Sequence, residues 1–137
     1  MLKAITALLL GACLALSTQA FAERMSKEAY KSEKHRIAAD FKADKKACSS
    51  MKGNAKDICR AEAKAKRKIA LADAEAAFQD TERARTKAQL VRAQEAYGVA
   101  KEKCDDQAGS ARTQCNKDAK AAMTRAKAEA KTTRKTG

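Results

Sequence analysis

Cys48-Ser49-Ser50-Met51-Lys52-Gly53-Asn54-Ala55-Lys56-Asp57-Ile58-Cys59 returns in outline as Cys104-Asp105-Asp106-Gln107-Ala108-Gly109-Ser110-Ala111-Arg112-Thr113-Gln114-Cys115. Each stretch is a C-x10-C unit, and both cysteines of the second lie 56 residues after those of the first. A helix running straight through such a unit would make three turns, leaving the sulfurs on one face about 16 Å apart. A disulfide needs Cα atoms within about 7 Å. The intervening residues read instead as a reversal. Gly53 ends one helix, Asn54 caps the next and Asp57 places an acid at its third position, while Gly109-Ser110 repeats the Gly and the cap. Each Gly sits five residues after one Cys and six before the other, so a reversal there brings the sulfurs to equal depth on two helices. The spacing favours Cys48–Cys59 and Cys104–Cys115; four cysteines admit two further connectivities, which spacing leaves open. Ten intervening residues is not a usual zinc-ligand spacing, so no metal site is expected.

Outward from these units, the same 56-residue offset lays Lys45 on Lys101, Phe41 on Tyr97, and Ala63-Lys64-Ala65 on Ala119-Lys120-Ala121. An internal duplication is expected. Asp80-Thr81-Glu82 supplies the remaining break, with Asp80 or Thr81 as an N-cap. Four helices follow, over roughly 25–52, 54–79, 82–108 and 110–133. Alanine mixed with Lys, Arg, Glu and Gln supports them, proline is absent, and nothing alternates as a strand would. Tyr30, Ile37, Phe41, Cys48 and Met51 share one stripe of the first helix, interrupted by Lys34 and Asp44, and Leu90, Ala93, Tyr97, Ala100 and Cys104 one stripe of the third. The fold class is all-α: two disulfide-stapled antiparallel hairpins, 23–79 and 80–133, folding together as a loose four-helix bundle or coiled coil. A continuous helix through Asp80 is the competing geometry, and 134–137 reads as a frayed basic tail.

Ahead of the hairpins, Met1-Leu2-Lys3 is a short cationic start, Ala4 to Leu16 is almost wholly apolar, and Ala20-Phe21-Ala22 has the form that signal peptidase cuts. Residues 1–22 read as a signal peptide cleaved after Ala22, giving a periplasmic protein with no transmembrane helix after cleavage. Leu10-Gly11-Ala12-Cys13 offers a lesser alternative, a lipoprotein anchored at Cys13. An oxidising compartment agrees with the disulfides.

The 137 residues carry 30 Lys+Arg against 17 Asp+Glu, a net charge of +13, with one His and no Trp. His35 alone provides neither a metal cluster nor a choice of general base, and it reads as a solvated helix residue. No P-loop, dinucleotide fingerprint, HExxH or Gly-x-Ser-x-Gly occurs. Neither catalytic residues nor a cofactor is expected. The basic surplus is the partner signal: Lys64, Lys66, Arg67 and Lys68 in the second helix, and Lys120, Arg125, Lys127, Lys131, Arg134 and Lys135 towards the end. These are the candidate polyanion-binding residues, with lipopolysaccharide, anionic lipid or envelope proteins as partners. Nucleic acid is disfavoured by export and by scarce aromatic residues.

Ala96-Tyr97, Ala100-Lys101-Glu102-Lys103-Cys104-Asp105-Asp106 and the Gly53-Asn54-Ala55-Lys56-Asp57 turn before Cys59 resemble a group of small exported proteobacterial proteins. These are Ala/Lys-rich, carry repeated C-x10-C units and are often catalogued as TolA-like cell envelope biogenesis proteins. The resemblance implies a place in the cell envelope; it does not extend to the energy coupling of TolA itself. The expectation is a non-enzymatic protein that binds or spaces envelope components through cationic helical surfaces. A periplasmic stress-type chaperone is the alternative, and a histone-like nucleic-acid binder a further one.

Overall fold

The computed structural model describes residues 24–136, with side chains through Thr133. The expected signal peptide 1–22, with Cys13, and the side chains of Arg134 and Lys135 fall outside the described residues. Four helices follow one another: α1 (Lys27–Ala47), α2 (Gly53–Gln79), α3 (Glu82–Cys104) and α4 (Gly109–Thr136). Among the described residues there is no strand.

Each helix starts or stops for a local reason. Ser26 caps α1, its hydroxyl accepting from the Ala29 amide at 3.0 Å, with Glu28 in the first turn. Between α2 and α3, Asp80 takes a left-handed conformation (φ 48°, ψ 44°) and its amide donates to the Ala76 carbonyl. Thr81 then caps α3 by accepting from the Ala84 amide at 3.1 Å. A two-residue reversal therefore stands where a continuous helix was the competing expectation.

Both disulfides form as the spacing favours, with Cα–Cα distances of 5.7 Å for Cys48–Cys59 and 5.6 Å for Cys104–Cys115. The turns around them differ from expectation in detail. α1 stops at Ala47 and not at 52, tightening into a 3₁₀ turn over Cys48–Ser50, so Met51 lies beyond the helix and is exposed instead of joining its buried stripe; α3 stops at Cys104 and not at 108. Each first cysteine therefore leaves its helix at the bond, where the chain must already be turning back. Gly53 and Gly109 do not close the preceding helices; they open α2 and α4 with φ of +55° and +56°, the left-handed region that glycine enters without steric cost. Asn54 turns away from the expected cap: its side-chain amide donates to the Glu102 carbonyl at 3.1 Å. It thereby satisfies a last-turn acceptor of α3, tying the two stapled turns together at one end of the molecule.

Packing follows chain order. α1 packs on α2, α2 on α3 and α3 on α4; among the described residues no other pair of helices makes backbone-level contact. The loose bundle is thus an open array one helix thick. Its buried residues show why. Ala63 and Ala65, Ala74 and Ala76, and Ala84 and Thr86 are buried pairs two residues apart. Two residues span about 200° of helix, so the members of each pair point to opposite sides. Ala76 meets Ala84 and Ala88 across the α2–α3 seam, while Ala63 lines the α1 side beside Cys48 and Cys59. On α3, Thr86, Ala93 and Cys104 face α4, to which Cys104 is bonded. The two middle helices are buried on opposite flanks and open to solvent above and below. Alanine on both flanks permits close approach but removes little apolar surface from water. The staples and a few larger side chains, Ile37 foremost, therefore carry a large share of the stability.

Candidate polyanion-binding surface

An array one helix thick has two broad faces, and every helix contributes a stripe to each. The stripes can be assigned from helical spacing together with the grooves that particular side chains line. One groove joins Arg60, Lys64 and Lys68 of α2 to Glu95, Gly98 and Glu102 of α3. A second joins Tyr30 and Lys34 of α1 to Leu71 and Glu75 of α2 and Lys87 of α3. In α2, positions 57, 60, 64, 71 and 75 recur at spacings of three, four and seven, so both grooves open on the same face. In α3 the stripe is Lys87, Gln94, Gly98 and Lys101. Lys127 joins it from α4, its ammonium donating to Gln94 Oε1 at 2.6 Å, and Lys120 and Lys131 lie seven before and four after Lys127.

The opposite face is marked by cross-helix ion pairs. Lys66 of α2 meets Asp44 of α1 at 2.9 Å, Arg92 of α3 meets Asp73 of α2 at 2.5 Å, and Lys103 meets Glu62 at 2.7 Å. Arg36 adds Glu33 and Asp40 on the same α1 stripe. The Arg36 hydrogen bond holds the Glu33 carboxyl below its ordinary range, and that carboxylate in turn raises Arg36. On α4 this face carries Asp118, Arg125 and Glu129, at spacings of seven and four.

The charge is therefore segregated. On the first face Lys64, Lys87, Lys101, Lys120 and Lys131 are exposed and free of ion pairs among the described residues. Its carboxylates are fewer: Glu95 is half-buried and held by Lys68 at 2.8 Å, Glu75 is half-buried and accepts from the Tyr30 hydroxyl, Glu102 is half-buried in the first groove, and Asp57 is exposed beside it. That hydrogen bond, with partial burial and the Glu75 charge, pushes the Tyr30 pKa up.

The candidates read as runs in the sequence are dispersed by this geometry. Of Lys64-Lys66-Arg67-Lys68, only Lys64 stands free on the cationic face. Lys66 is paired on the opposite face, Arg67 lies over the Phe41 ring at 4.9 Å, and Lys68 is held by Glu95. Lys120, Lys127 and Lys131 join the cationic face, whereas Arg125 is exposed off that stripe. Lys34, Arg60, Lys87 and Lys101 were missed as isolated cations; only Arg60, four residues before Lys64 in α2, carried a signal in the sequence. His35 is exposed on α1. Among the described residues no group of His, Cys, Asp or Glu is placed to hold a metal, and no helix is long and apolar enough to cross a membrane.

Comparison of the chain with known proteins returns no matching family model, no matching curated protein and no matching solved structure.

Proposed function

We propose that this protein is a non-enzymatic, periplasmic component of the cell envelope that binds anionic envelope components through its cationic helical surface. The observation that carries the reading is the set of exposed, ion-pair-free lysines gathered from α2, α3 and α4 onto one face. Cations not compensated within the fold keep their field for an external anion. Disulfides at the ends of the turns suit an oxidising compartment, as the signal-like residues 1–22 do. The repeated C-x10-C units agree with descent by duplication and with the resemblance to TolA-like exported proteins. Among the described residues Met51 is the only large hydrophobic side chain that is exposed, which favours electrostatic binding over the capture of unfolded clients.

The test is binding to lipopolysaccharide micelles and to anionic vesicles across ionic strength. Binding should be present at low salt, weaken steeply as salt rises, and be absent on zwitterionic vesicles. No detectable binding to either anionic surface at low salt would overturn the proposal.

A further inference from the structure

Resting on that reading, we infer that the ligand is a planar one: the face bearing Lys34, Arg60, Lys64, Lys87, Lys101 and Lys120 lies flat on the phosphate-bearing headgroup layer of an anionic phospholipid membrane. The first ground is shape. α2 has 27 residues, a length of about 40 Å, and four helices side by side at about 9 Å spacing give a comparable width. The buried residues of α2 and α3 point to opposite flanks, so neighbouring helices continue the array sideways and do not close it into a cylinder. A linear polyanion would meet one stripe of such a surface; a headgroup layer meets all of them.

The second ground is how the charge is distributed. The free cations are not concentrated in a cleft. Lys34, without an ion pair among the described residues but over the Tyr30 ring at 5.3 Å, and Lys87 flank one groove, Arg60 and Lys64 another, and Lys101 and Lys120 extend the set over α3 and α4. Each stem reaches from its own helix, so the ammonium and guanidinium groups sample a layer and not a point. The other side of the array carries Arg36, Arg85, Arg92 and Lys103 in ion pairs, and on α4 the single Arg125 between Asp118 and Glu129. That side would be repelled by, or indifferent to, an anionic layer, which sets the orientation. The third ground is what the cationic face lacks. Its larger apolar groups, Tyr30 and Leu71, are half-buried between helices, so contact is electrostatic without insertion into the acyl region.

The test uses vesicles containing phosphatidylglycerol and two charge-matched variants. One carries Lys64→Gln, Lys87→Gln, Lys101→Gln and Lys120→Gln; the other carries Arg36→Gln, Arg85→Gln, Arg92→Gln and Lys103→Gln. Each lysine near an anionic bilayer is worth roughly fivefold in affinity, so the first set should weaken binding by up to about 600-fold, and by at least about thirtyfold if only two of the four reach the layer, and the second by less than about threefold. Lysine acetylation footprinting of the unmutated protein on vesicles provides a readout independent of folding. Lys64, Lys87, Lys101 and Lys120 should be protected while Lys103 is modified as in free solution. Equal losses in both variants, or protection without facial preference, would overturn the oriented face and leave general anion binding standing. Retention on heparin or duplex DNA without vesicle binding would overturn the lipid as ligand. A chain that binds none of these at low salt would remove the underlying function as well.

Discussion

The two stapled hairpins share their bond geometry and differ in how they are held elsewhere. In the α1–α2 hairpin both ends are tied. Cys48–Cys59 closes one end; at the other the Tyr30 and Phe78 rings stack at 4.7 Å, 8° from parallel. The segment before α1 adds a strap, with the Met25 amide donating to the Ala77 carbonyl and Arg24 Nε to the Phe78 carbonyl. Ile37 is buried midway. In the α3–α4 hairpin Cys104–Cys115 closes the same end, but no aromatic stack is found at the other among the described residues. The seam there is Thr86, Ala93 and Ala130, with Leu90, Tyr97 and Met123 half-buried, and Asn116 Oδ1 is buried without a partner. Identical staples thus stand in unequal settings: one closes a hairpin whose far end is also tied by stacked rings and a strap, the other a hairpin without that second tie among the described residues.

Removing the staples should expose the inequality most strongly. Each closes a loop short enough to contribute somewhat under ~3 kcal/mol through the entropy of the unfolded chain. For the pair Cys104→Ala and Cys115→Ala, α4 should lose amide hydrogen-exchange protection while α1 and α2 keep theirs. For Cys48→Ala and Cys59→Ala, the α1–α2 hairpin should loosen near the turn but keep protection near Tyr30 and Phe78. Equal loss of protection in both hairpins would show that the aromatic end contributes nothing to the difference.

The disulfide framework was legible because it rests on local arithmetic: a Cys, a Gly five residues on, and a second Cys six residues later. The break at Asp80 was legible for the same reason. The array was not. Ala63 and Ala65, or Ala84 and Thr86, are buried on opposite flanks, so the apolar stripe that normally marks a helix face is doubled and blurred. The cationic face was hidden by the complementary effect. The run Lys64-Lys66-Arg67-Lys68 draws the eye as one patch, yet successive residues turn by about 100° and leave it divided among both faces and two seams. Lys87 and Lys101 carry no local cluster, and only knowledge of which flanks are buried puts them with Lys64.

A smaller effect sharpens the same contrast at the aromatic end. The Tyr30 hydroxyl donates to Glu75, and its pKa is raised in the folded protein. A raised value means that the neutral phenol is favoured by folding. The stabilisation is therefore complete below the unfolded tyrosine value of about 10 and is lost as pH climbs through the folded one. Tyr30→Phe should cost about 1 kcal/mol at neutral pH while leaving the ring stack. In urea titrations from pH 8 to 11.5, the difference between the two proteins should shrink as the phenol ionises. A difference that stays constant across that range would show that the hydroxyl makes no stabilising contact with Glu75.

The α3–α4 hairpin also has a position where stability should be gained. Gly98 lies inside α3, its backbone is helical, and a Cβ built on it meets nothing within 4 Å. Its counterpart 56 residues earlier is Lys42, a good helix former in the middle of α1. Gly98→Ala should raise stability by about 0.8 kcal/mol, because the unfolded chain loses freedom that the folded one never used. The measured quantity is the urea midpoint at unchanged m-value. An unchanged or lowered midpoint would mean that the open space beside Gly98, on the groove shared with Lys64 and Lys68, is occupied in solution. The same substitution would then report on the cationic face, since an added methyl group there would compete with whatever sits in that groove.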